Sequence, residues 1–292
     1  MIGLRSAMTS KLGHPISHGN ASGGDEALQR AMLALNSGRP ADAERIAADV
    51  LKTSRRNVPA LQVLANALLM QNRIADAIVP LETAARGNHD PQIETMLGIV
   101  LRQAGRIEDA LSWLKRAVKR RPPHAPAFYE FGCLLSFLNR DEEAVEAFNR
   151  GLDVAPLVPQ LSVQLGYVLL RRKRYAEAKA AFSRALANSA GSPEALFGLA
   201  KVHQSAGDNA AAAGYFRQCL VGRPNDADMW LQLGFCLLEL GDRAAGYECF
   251  RTATRGDPQN YGNALSALVK SGRGRFWLKP SRAAQYFQGA KS

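Results

Sequence analysis

The chain has 292 residues, 47% of them apolar and 22% charged, with a formal net charge of +11 and a sequence pI of about 9.8. This composition excludes a disordered or collagen-like chain and supplies enough apolar side chains for a buried core. The positive excess points to an acidic partner such as nucleic acid or an anionic membrane, while no uncharged stretch reaches the roughly 18 residues of a membrane-spanning helix.

Residues 1–23 are dominated by Gly, Ser, Asn, His and Pro after Lys11 and have no continuous apolar stretch. A flexible N-terminal tail is expected there, and not a secretory signal. Arg5, Lys11 and the lack of acids keep a cleaved transit peptide as an alternative. The four cysteines, Cys133, Cys219, Cys236 and Cys249, form no CxxC pair. Reduced thiols and a cytoplasmic setting are the expectation.

From residue 24 the sequence repeats. Leu97-Gly98, Phe131-Gly132 and Leu165-Gly166 are 34 residues apart, as are Ala110, Ala144 and Ala178. The frame extends to seven units: 24–57, 58–90, 91–124, 125–158, 159–192, 193–226 and 227–260. Each reads as two helices. In the first, apolar residues at the fourth, seventh and eleventh places form one stripe, as in Trp230, Leu233 and Leu237. A Gly or polar turn falls at the fifteenth place, from Gly38 through Lys173 to Gly241. Pro122, Pro156, Pro224 and Pro258 stop the second helix. Small residues at the eighth and twentieth places let two helices approach, and a large residue at the twenty-fourth fills the remaining wedge. Gly132, Ala144 and Phe148 are one such set.

These units resemble tetratricopeptide repeats, a helix–turn–helix family with this period. The resemblance covers residues 24–260 and implies an all-α, right-handed solenoid of seven stacked units. The first unit departs from the pattern at Arg30, Ala47 and Arg55, as a terminal unit can. Ala264, Leu265, Leu268 and Val269 predict a capping helix within 261–275. An aromatic, basic tail follows at 276–292, where Phe276, Trp277, Tyr286 and Phe287 either fold back onto the stack or dock a partner.

No phosphate-binding loop, nucleophile elbow, zinc-protease motif or dinucleotide fingerprint is present. His14 and His18 flank Pro15 in the tail, and His203 takes an eleventh place where a core residue is usual. The expectation is a non-enzyme with no cofactor, no metal and no small-molecule substrate. Function then falls to the concave face that the family resemblance implies, lined by first-helix residues. In the third and fourth units these are Met96, Ile99, Arg102, Tyr129, Cys133 and Phe137. In the fifth they are Val163, Gln164, Tyr167 and Arg171, and in the last two Phe197, Lys201, Leu231, Gln232 and Phe235. An apolar, aromatic stripe with interspersed amides suits a peptide segment of another protein, with aromatic anchors and backbone hydrogen bonds. The Lys/Asn carboxylate clamp of some relatives is absent, since only Asn66 fits it.

Two alternatives differ in class. One is an accessory module of a glycosyl- or sulfotransferase system. The other is a charge-driven nucleic-acid or membrane-surface adaptor. Lys115, Arg116, Lys119, Arg120 and Arg121 form a basic run that reads as a solvated face. Residues 1–23 carry +2 and residues 261–292 carry +6, leaving +3 for the repeats. If the chain has an anionic partner at all, the C-terminal tail is therefore where it would dock, and the groove is reserved for an apolar one.

Overall fold

The computed structural model describes residues 23–255, together with Gly262 and Ser266. The expected N-terminal tail lies outside the described residues, as do Phe276, Trp277, Tyr286, Phe287 and all but two positions of the expected capping helix. Among the described residues there are fourteen α-helices and no strand. They are α1 (Gly23–Asn36), α2 (Pro40–Thr53), α3 (Val58–Met70), α4 (Ile74–Gly87), α5 (Pro91–Gln103), α6 (Ile107–Ala117) and α7 (Ala125–Phe137), then α8 (Asp141–Val154), α9 (Pro159–Arg171), α10 (Tyr175–Asn188), α11 (Pro193–Ser205), α12 (Asn209–Gly222), α13 (Ala227–Glu239) and α14 (Arg243–Thr254). Consecutive helices pair as seven hairpins. The chain divides between Pro156 and Leu157 into two compact units. Within each, second helices pack on the next first helix, and first helices also touch, as α5 does α7 and α9 does α11. None of the described helices is long and apolar enough to cross a membrane.

Each hairpin turns on a left-handed residue at its fifteenth place: Gly38, Asn72, Gly105, Asn139, Lys173, Gly207 and Gly241, with φ between 58 and 90°. Glycine adopts this conformation freely, asparagine tolerates it, and lysine does so against a steric cost. The next backbone N–H then reaches back to a first-helix carbonyl, as Arg106 N does to Leu101 O at 2.9 Å. This closes the helix end and sets the antiparallel return.

The small-to-large fit lies across the hairpins, except in the first, where Ala47 takes the large place. A Cβ added at Gly132 would come within 2.6 Å of the Phe148 ring, and one at Gly166 within 2.7 Å of Phe182. Phe148, Phe182, Phe216 and Phe250 are fully buried. These wedges hold paired helices at close separation and so fix which first-helix residues line the inner layer.

The fourth place of α5 departs from the apolar pattern. Glu94 is fully buried there, and its carboxylate accepts from Arg116 Nη2 at 3.1 Å and Arg120 Nη2 at 2.8 Å. Arg116 also lies 4.2 Å from the centre of the Trp113 ring. Two arginines of the run read as a solvated face therefore turn inward, because a buried carboxylate requires paired donors.

Candidate functional site

In the first unit, α5 and α7 bring Met96, Arg102, Tyr129 and Cys133 to the inner layer as half-buried side chains, with Phe137 70% exposed at its end. Ile99, expected to line this face, is buried instead. Arg102 Nη2 donates to Glu130 Oε2 at 3.4 Å. Glu130 is itself buried, and burial pushes its carboxyl pKa up against the lowering effect of Arg102. Burial, with the Glu130 charge adding, raises the Cys133 thiol to about 12. That thiol stays protonated at neutral pH and is no nucleophile. Asn66 Oδ1 and Arg102 Nε are buried without a protein hydrogen-bond partner. All four cysteines are free thiols.

In the second unit, α9, α11 and α13 supply the inner layer. Val163 and Leu231 are buried and, like Ile99, depart from the expected lining. For Ile99 and Val163 the neighbouring first helix packs alongside and covers part of the inner row, while Leu231 is buried against Leu238, Phe250 and Ala253 of its own hairpin. Tyr167 Oη donates to the Glu194 carbonyl at 3.1 Å, and its ring meets Phe182 edge-on at 5.0 Å. Burial lifts its pKa to about 12. Tyr167 thus ties α9 to α11 as well as facing inward. Gly198 leaves the room for Phe182, since any side chain at that place would collide with the ring. Phe197 stands edge-on to Phe216 at 5.9 Å, Phe235 and Gln164 are half-buried, and Arg171 is exposed.

Lys201 occupies the middle of this face. Its Nζ donates to Gln204 Oε1 at 2.9 Å and to Gln232 Oε1 at 3.3 Å. Gln204 in turn donates to Cys236 Sγ at 3.5 Å. Burial lowers the lysine pKa, opposed by the Asp228 carboxylate. Outside this face, His203 pairs with Asp208 at 2.9 Å and lies against the Tyr215 ring, a packed histidine with a polar partner. Sequence reasoning had not singled out Gln204, although its twelfth place marks it as inner-facing, nor Glu130, whose signal was a sixth place next to Arg102.

Half-buried aromatics, amides and isolated charges on the inner layers can hold an apolar segment and hydrogen-bond its backbone. Among the described residues, no cluster of three or more His, Cys, Asp or Glu is arranged to hold a metal.

Comparison with known proteins places the class. Two profiles described as tetratricopeptide repeat match the chain, one at residues 81–126 and 129–193, the other at 34–98 and 203–269. The chain belongs to the tetratricopeptide repeat family. A tetratricopeptide repeat protein from Parabacteroides merdae is similar over 84% of this chain and 98% of its own, with a TM-score of 0.60 and 17% identity. The C-terminal part of a repeat-containing protein from Cytophaga hutchinsonii covers 82% of this chain and 99% of its own, at a TM-score of 0.67 and 14% identity. YrrB, described as a TPR protein with an unusual peptide-binding site, is similar over 64% of this chain and 96% of its own, with a TM-score of 0.55 and 22% identity. At these identities the likeness is one of fold. No curated protein matches the chain significantly.

Proposed function

We propose that the chain is a non-enzymatic interaction scaffold that binds an apolar or aromatic peptide segment of another protein on its first-helix faces, bringing that protein into a larger assembly. One observation carries this reading: Phe137 is 70% exposed, and Phe197 and Phe235 are only half-buried, on first helices that bury most of their aliphatic side chains. Folding gives no reason to leave aromatic rings in water, and aromatic anchors dominate binding energies at interfaces. Family membership supports it, since tetratricopeptide repeats are generally non-catalytic protein-interaction modules, and the peptide-binding site of YrrB offers a precedent on the same fold.

A pull-down with the intact chain, followed by peptide mapping of the captured protein, supplies the ligand. Phe137→Ala combined with Phe235→Ala is then expected to weaken that peptide at least tenfold. Val79→Ala and Val221→Ala, exposed changes on second helices, should leave it unchanged. Equal affinities for the double variant and the parent would overturn the reading.

A further inference from the structure

The inner face of the second unit contains a cation in an unusual setting. The ninth places of α9, α11 and α13 read Tyr167, Lys201 and Phe235, so an ammonium sits between two aromatic residues. Lysine usually extends its head group into water. Here Lys201 is half-buried, and its hydrogen-bond partners are two neutral amides, Gln204 on its own helix and Gln232 on the next. Gln204 is anchored by Cys236, so the ammonium is held in position.

Amide oxygens orient an ammonium and leave its charge unneutralised. The nearby acids do not supply the missing charge. Glu194 is matched by Arg223 at 3.1 Å. Asp228 attracts Lys201 through space, yet burial outweighs that attraction. A carboxylate brought by a ligand would reverse the balance, because a charge-assisted bond in a partly desolvated site is stronger than an amide contact.

We propose that this face selects a peptide segment by an acidic side chain seated on Lys201, with an apolar or aromatic residue on either side reaching Tyr167 and Phe235. The inference rests on the peptide-binding reading above and names the chemistry of the partner. The helix spacing also sets the register. Packed helix axes lie about 8–10 Å apart, and an extended chain advances about 3.3 Å per residue. One helix step thus spans about three residues, so the apolar residues fall about three positions before and after the acid.

The probe is an array of synthetic decapeptides with acetylated and amidated ends, carrying Phe or Leu about three positions on either side of a central Asp. A matched series carries Asn at the centre. The intact chain is expected to bind the Asp series at least tenfold more tightly, and Lys201→Met to bind both series alike. Lys201→Glu should favour a third series with central Lys. Lys201→Gln keeps a polar group and is expected to behave as Lys201→Met, which separates loss of charge from loss of fold. Equal binding of the Asp and Asn series by the parent, or an acid preference that survives in both Lys201→Met and Lys201→Gln, overturns the inference and leaves the peptide-binding reading standing. Asn peptides that bind as tightly once their C-terminus is left free would assign the site to a terminal carboxylate, also against the proposal. Failure of every peptide to bind would count against both.

Discussion

The two compact units are built from the same hairpin but handle charge differently. The first takes acids inside and neutralises them: Glu94 is buried against Arg116 and Arg120, and Glu130 against Arg102. The second holds a half-buried cation against amides. The turns also vary, with the change falling inside the second unit. From α1 through α10, an arginine just after each turn pairs with an acid three residues later, as Arg140 does with Glu143 at 2.7 Å. In the last two hairpins Asp208 and Asp242 take that place and cap the second helix, accepting from Ala211 N and Ala245 N at 3.1 Å. One helical frame therefore tolerates opposite electrostatic arrangements, because the fold depends on the apolar wedge and the turn. Charged places are left open to other uses.

The sharpest way to break this comparison is to remove the shared part. Phe148→Ala and Phe182→Ala are each expected to cost about 3–5 kcal/mol in urea unfolding, as large-to-small changes in a full core do. Phe182 should be the more costly, because it also supports Tyr167 and fills the space beside Gly198. Equal, small losses would show that the wedge is not what holds the hairpins. The next effect belongs to the first unit alone. Glu94→Ala is expected to cost about 2 kcal/mol, below the usual figure for breaking a buried pair because both guanidiniums keep solvent contact. Glu94→Leu should cost much less, and an equal cost would mean that the ion pair itself is the stabilising element.

A smaller change tests the turns. Lys173→Gly relieves a side chain from left-handed backbone and should stabilise by about 1 kcal/mol. The same change at Asn139 should give less. The smallest effect concerns Glu130. Its carboxyl pKa is raised in the folded chain, so the stability contributed by the neutral form is present at low pH and lost as pH rises through the folded value. Glu130→Gln should therefore melt higher than the parent at pH 7, and this advantage should shrink toward pH 4. A variant that melts lower at both pH values would reverse the assignment.

Much of the fold was legible in the residues because it is written in short-range geometry. A left-handed turn needs Gly, Asn or a tolerated exception, and all seven fall where the repeat places them. The meeting of Gly132 with Phe148 follows from one small and one large residue on facing helices. The inner layer was only half legible. The repeat identifies a row but not how far the neighbouring helix covers it, which is why Ile99, Val163 and Leu231 turned out buried while Phe137 and Phe235 did not. Glu94 broke the apolar pattern without announcing its partners, since Arg116 lies on the other helix of the hairpin and Arg120 in the segment just after it. The amide cradle of Lys201 depends on two glutamines 28 residues apart in sequence, a spacing that means nothing until α11 and α13 are placed together.

The first helices are the face on which a partner is expected to dock. Hydrogen exchange of the intact chain, with and without the peptide mapped from a captured protein, tests this most directly. The prediction is slowed exchange in α5, α7, α11 or α13, with α6, α8, α12 and α14 unchanged. Slowed exchange confined to those second helices would contradict it.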